Sequence, residues 1–257
     1  MRSNHGGVLG QRSRTQLMAL LKVQTKLTIR EPYVLLGVGL PVVLLILFGV
    51  ISKQVAGNVA GTGLTVIDLY VPTILVISYI SIAISMPNTL VRDRQIGWLR
   101  RISTTPVHPS RLLAVQLIIN LVVAVVVTAI IIVGGTFIFG APLTVNIPYF
   151  ILSVVLSIAE LFALGLIVVA LAPTQTMAGA IGGPLFFVLL FLSGLWIQPL
   201  QVPEPLRSIM WYSPSGAAVR AILYSSFNST PPLPTLLTLI GYTVVFAFLA
   251  IRYFRWE

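Results

Sequence analysis

The sequence is poor in reactive and charged side chains. It has no cysteine, two histidines and six acidic residues among 257. Without cysteine there can be no disulfide, thiolate metal site or cysteine nucleophile. His5 and His108 both fall outside the long apolar runs, so those runs hold neither the His cluster of a metal site nor the paired carboxyls of an intramembrane aspartyl site. No G-x-x-x-x-G-K-[ST] loop is present, so the chain lacks the usual backbone cradle for ATP. Enzymatic activity by this chain alone, an intramembrane hydrolase included, has no catalytic constellation to rest on.

What is present is mostly apolar. Hydrophobic residues make up 57%, charged residues 9%, and the mean hydropathy is +0.99. Such a composition cannot clothe a water-soluble surface, so the expected class is an all-α integral membrane protein. Apolar runs fall at about 34–51, 69–91, 112–134, 149–172, 177–195 and 236–253. Each is long enough to cross a hydrocarbon core of roughly 30 Å. Pro41, Pro72, Pro87 and Pro184 lie in or near these runs, where neighbouring helices can satisfy freed carbonyls.

The expected division is a tail and amphipathic interfacial helix over 1–30 and one transmembrane domain over 31–257. In the first segment Leu17, Leu20, Leu21 and Leu27 recur at helical spacing opposite Lys22, Lys26 and Arg30, a pattern suited to the membrane interface. Between the fifth and sixth runs, prolines and aromatics (Trp196, Trp211, Tyr212, Tyr224) mix with Leu206, Ile209, Met210, Val219, Ile222 and Leu223. That segment is too apolar for a free loop, and half-inserted re-entrant helices reconcile the two features.

The net charge of +10 reports orientation and contact with anionic lipid rather than nucleic acid. One side collects Arg2, Arg12, Arg14, Lys22, Lys26 and Arg30, the second-loop arginines, and Arg252 and Arg255. The other side keeps Lys53, Arg207 and Arg220. The positive-inside rule therefore predicts a multi-pass cell-membrane protein with both termini cytoplasmic.

Within the runs, polar residues form two stripes. Ser78, Ser81, Ser85 and Asn88 follow one another at spacings of three and four in the second run; they either wall a substrate path or hydrogen-bond between helices. Ser153, Ser157 and Glu160 share one face of the fourth. Glu160 is the one deep acid, either functional or a packed, hydrogen-bonded carboxyl. Asp68 stands at the edge of the second run as a helix cap. Gly179 and Gly183 have the spacing that allows close helix approach.

Charge concentrates in one place. Five of the sixteen Lys and Arg residues lie between Arg92 and Arg111, in a basic, proline-ended island between two apolar runs. Its arginines either serve topology alone or meet acidic groups and lipid phosphates.

Taken in order, the amphipathic start, six spans, basic second loop and Pro-rich aromatic segment resemble the membrane subunits of ABC-2 type transporters. Arg92-Asp93-Arg94-Gln95-Ile96-Gly97-Trp98-Leu99-Arg100-Arg101, followed by Thr105-Pro106-Val107, is similar to the family's charged-Gly-x-hydrophobic-x and Thr-Pro pattern. Ser193-Gly194 with Pro199, Val202-Pro203 and Trp211-Tyr212-Ser213-Pro214 is similar to its Ser-Gly and later Pro motifs. The resemblance covers nearly all of the chain after about residue 15 and is nearest to drug- and antibiotic-exporter permeases of the daunorubicin-resistance type. Gln95 and Arg100 stand where the family usually has Glu.

The resemblance implies an ATP-driven exporter permease that moves an amphipathic drug, lipid or glycan-lipid outward. A cytoplasmic coupling helix between spans two and three would dock on a separate ATP-binding cassette subunit, which would hold ATP and Mg, while this chain binds no cofactor. A second permease chain would complete the unit. Arg92, Arg94, Gly97, Trp98, Leu99, Arg100, Arg101, Ile102 and Pro106 are the expected coupling residues, with Trp98, Leu99 and Ile102 as the apolar face. Two other classes stand beside this one: a proton-coupled secondary transporter using Glu160, and a membrane scaffold without transport.

Overall fold

The computed structural model describes residues 32–55, 63–95, 109–141 and 145–253. The expected N-terminal interfacial helix lies outside them. Eight α-helices and no strand occur among the described residues: α1 Pro32–Gln54, α2 Val66–Gln95, α3 Pro109–Val133, α4 Ile147–Leu171, α5 Gln175–Leu192, α6 Leu206–Tyr212, α7 Pro214–Ser226 and α8 Leu233–Tyr253. A π turn, Gly134–Ile138, carries α3 onward. Six helices are long and apolar enough to cross a membrane: α1 to α5 and α8. Pro41, Pro72, Pro87 and Pro184 are all inside these helices, where each removes a backbone donor without ending the helix.

The helix ends follow local chemistry. Proline opens α1, α3 and α7 at the first position, where its missing N–H costs nothing and its fixed φ suits the helix. Asp68, in the first turn of α2, accepts from the Thr65 backbone N–H at 2.9 Å, the reciprocal half of a capping box. Gly194 ends α5 with φ +84, and the Leu195 N–H reaches back to the Leu190 carbonyl at 3.5 Å. The Ser193-Gly194 motif is thus a helix stop in the left-handed conformation that glycine adopts freely.

The helix at the centre is α2. It packs against α1, α3, α4, α5 and α7, and 83% of its span is buried against 17% for α8. It is also the span richest in polar side chains. In lipid this is the favourable arrangement, because polar groups must be shielded from hydrocarbon while leucines and valines can face it. Accordingly Val122, Val125 and Val126 of α3 and Val244, Val245 and Phe248 of α8 point outward. Ile74, Leu75, Tyr79 and Ile80 of α2 meet Val127 and Ile131 of α3, Leu161 of α4 and Ala217 and Ala218 of α7 in one core.

Gly165 sets the spacing of α2 and α4. A Cβ there would collide with the carbonyl oxygen of Ala83, so the two backbones touch where only glycine fits. At the expected close-approach pair, Gly179 and Gly183, a Cβ would meet nothing within 4 Å. The contact is made by neighbouring Gly182, whose Cβ would come 3.1 Å from Ile84.

Gln95, Pro109, Leu171, Gln175 and Tyr253 share one end of the bundle, here the loop end. The opposite, far end holds the α6–α7 hairpin. Its helix α7 runs antiparallel to α4: the Asn146 N–H donates to the Ser225 carbonyl at 2.9 Å, and Ser153 Oγ donates to the Ala221 carbonyl at 3.2 Å. Continuing that register by seven residues, about 10 Å at the helical rise, brings the hairpin turn at Ser213-Pro214 level with Glu160. The Tyr242 hydroxyl of α8 donates to the Tyr212 carbonyl at 3.0 Å, which pins the turn from a third helix.

Candidate functional site

Three candidate regions are held in this frame: the entry to the basic loop and the two polar stripes. The loop leaves from the last turn of α2. Arg92 is half-buried there, and Arg94 belongs to the same turn with its side chain outside the described set. Gly97, Trp98, Leu99, Arg100, Arg101, Ile102 and Pro106 lie outside the described residues.

The loop entry itself is firmly placed. Gln95 Oε1 accepts from the Gln175 backbone N–H at 3.0 Å, and Thr174 Oγ1 accepts from the Met177 N–H at 3.2 Å. The first N–H groups of a helix have no partner within it, so α5 is capped both by its own N-cap threonine and by the end of α2. Below this contact Val91 of α2, Val169 of α4, Ala172 just past its end and Ala178 of α5 form a small apolar cluster. The segment that enters the loop is therefore fastened to α4 and α5 at once. Sequence reasoning registered Gln95 only as a departure in charge. Its partner is 80 residues away, and no local pattern announces such a pair.

In the α2 stripe, Ser78, Ser81 and Ser85 are buried and Asn88 is half-buried. Each serine donates to a carbonyl of its own helix: Ser78 to Leu75 at 2.6 Å, Ser81 to Ile77 at 2.8 Å and Ser85 to Ile82 at 2.9 Å. Their hydroxyl donors are satisfied locally.

The α4 stripe is different. Ser157 bonds back to the Ser153 carbonyl at 2.7 Å, while Ser153 crosses to α7. Glu160 is 0% exposed, and neither carboxyl oxygen has a hydrogen-bond partner among the described residues. A buried carboxyl without partners is costly, and the packing around it supplies no compensating bond. Among the described residues no group of three His, Asp or Glu side chains could hold a metal ion.

The ABC-2 type transporter family model matches residues 15–227, spanning the basic loop, both stripes and the hairpin. The chain belongs to the ABC-2 type transporter family. No curated protein matches it. An ABC-2 membrane domain is the permease component of a transporter and not its ATPase, in accord with the missing phosphate loop and the six apolar helices. Within this ABC-2 permease, the Ser193-Gly194 and Ser213-Pro214 motifs have structural duties. The first stops α5. The second turns the hairpin, with Ser213 Oγ accepting from the Gly216 N–H at 3.1 Å and donating to the Met210 carbonyl at 2.6 Å.

Proposed function

We propose that this chain is the permease subunit of an ATP-driven exporter in the cell membrane, with both termini and the Arg92–Arg111 loop cytoplasmic. A separate ATP-binding cassette subunit, holding ATP and Mg, docks on that loop, and two permease chains form the working unit. The carrying observation is the fastening of the loop entry, through Gln95 and the Val91 cluster, to two further spans of an ABC-2 domain, α4 and α5. A push delivered there reaches α2, and through it every helix that α2 touches. Coupling needs a stiff element whose contacts differ between two states. In this reading Trp98, Leu99 and Ile102 supply the apolar docking face, Gly97 and Pro106 shape the loop, and Arg92, Arg94, Arg100 and Arg101 meet acidic groups or lipid phosphates.

The cargo class is an amphipathic drug, lipid or glycan-lipid, as for permeases of the daunorubicin-resistance type. Tilting of the spans opens the packed stripes, Ser78, Ser81, Ser85 and Asn88 with Ser153, Ser157 and Glu160, into the walls of its path. The test is replacement of Trp98 and Leu99 by Ala, followed by co-purification with the ATP-binding subunit. Loss of the complex and of its ATP hydrolysis is expected; an unchanged complex removes these residues from the docking face.

The unpartnered Glu160 favours one second reading, proton-coupled transport through the α4 stripe. Transport that continues in vesicles with a proton gradient but no ATP supports it, and transport that stops there excludes it.

A further inference from the structure

Beside the α6–α7 hairpin, at the far end of the bundle, lies an open cavity of about 290 Å³ that no part of the transport reading uses. Val219 and Leu223 of α7 give it an apolar wall, and Arg220 gives it a charge. The guanidinium carbon lies over the Trp211 ring, 4.4 Å from its centroid, and 5.8 Å from the centroid of the Tyr224 ring.

Aromatic rings attract a cation through their own π faces. Arginine carries all five of its N–H donors in the guanidinium plane, and a ring gives them no lone-pair acceptor. Of the Arg220 donors, Nε is buried without a hydrogen-bond partner among the described residues. Glu204, the acidic residue of this segment, pairs instead with Arg207 at 3.7 Å. A second donor waits in the same cavity. Gln198 is buried, lines the cavity, and its Nε2 has no hydrogen-bond partner among the described residues. An arginine that served only as an interface anchor would carry its donors into water along an extended stem; here one donor is held inside, beside a void.

We infer that this cavity binds an anionic amphiphile, its phosphate or carboxylate on the guanidinium of Arg220 with Gln198 as second donor, and its apolar part against Trp211 and Leu223. A fork of planar donors suits such oxyanions. The volume is close to the lower bound of small-ligand pockets, roughly 300 Å³, enough for a head group and the first part of a chain. The head group can come from a phospholipid of the surrounding membrane or from a soluble amphiphile, since the chemistry is shared. Binding here does not depend on ATP coupling and stands or falls separately from the exporter reading.

The test uses the full chain in neutral maltoside micelles, titrated with decyl phosphate while tryptophan fluorescence is followed. A saturable response is expected that Trp211→Phe removes and that decyltrimethylammonium and inorganic phosphate do not produce. Arg220→Gln weakens it by about tenfold or more, the size of a lost hydrogen bond to a charged group. Helix content and elution volume report whether each variant folds. If Arg220→Gln does not fold, Arg220→Lys and Gln198→Leu carry the test, each with weaker binding expected. Repeating the titration in nanodiscs separates the sources: competition by phosphatidylglycerol but not phosphatidylcholine identifies a membrane lipid, and equal titration in both identifies a soluble amphiphile. Either result upholds the site. A response that does not saturate, that the cationic probe reproduces, or that survives in folded variants of Arg220 overturns it.

Discussion

The two polar stripes resemble each other in sequence and differ in structure. Both place small hydroxyl residues at helical spacing on one face of an apolar span, and both are buried. On α2 every serine hydroxyl returns its proton to its own backbone, so the stripe can be packed against five neighbours without any specific partner. On α4 one serine binds another helix and the carboxyl binds nothing among the described residues. Polarity within a span is therefore weak information about function, because a hydroxyl can be satisfied by the helix that carries it. A carboxyl at the same depth cannot, which makes Glu160 the residue that asks for an explanation beyond packing.

The largest effect is expected from forcing apart the helices that carry the stripes. Gly165→Leu would drive a side chain into the Ala83 carbonyl, and overpacking of this kind costs up to about 3 kcal/mol or more. Loss of monodisperse protein on gel filtration is expected; normal elution and stability would mean that α2 and α4 do not touch there. Next in size is Glu160→Leu. Replacing an unpartnered buried polar group by an apolar one of similar volume should stabilise by about 1–3 kcal/mol, seen as a higher unfolding temperature. In the same variant transport should fall, since the stripe loses its one ionisable group. A lower unfolding temperature would reveal a partner for Glu160 and erase the contrast. Ser153→Ala removes one interhelical bond to Ala221 and should cost about 0.6 kcal/mol. Smallest of all is Ser81→Ala, whose bond is to its own helix. Its thermal unfolding should match the unsubstituted protein within about 0.5 kcal/mol.

Much of the fold was legible because it depends on run length and composition. Six apolar runs became six spans, with ends displaced by a few residues: the second begins at Val66 rather than 69, and the third extends through the π turn to Ile138. Glycine contacts were less legible. Spacing singled out Gly179 and Gly183, but which face of a helix meets a neighbour is decided by the whole bundle, and here it is Gly182 and Gly165 that are covered. The polar stripes could be seen in the sequence, while their bonding could not, because a serine in an apolar run has the same signature whether it bonds inward or across. Gln95 stood out only as a departure in charge, and nothing local pointed to its bond with Gln175. Arg220 had one that could have been followed: with Ser213-Pro214 as a helix start, Arg220 and Tyr224 stand four apart on one face, next to Trp211 across the turn.

Because the chain has no cysteine, a single introduced thiol is a unique probe of the loop on which the coupling account depends. Ser103→Cys, just beyond the expected docking residues, should be labelled by a membrane-impermeant maleimide in inverted but not right-side-out vesicles. With a bifunctional reagent it should cross-link to the ATP-binding subunit in the assembled complex. Labelling from the outside only, or no cross-link in a complex that hydrolyses ATP, would contradict the assignment of this loop as the junction between permease and motor.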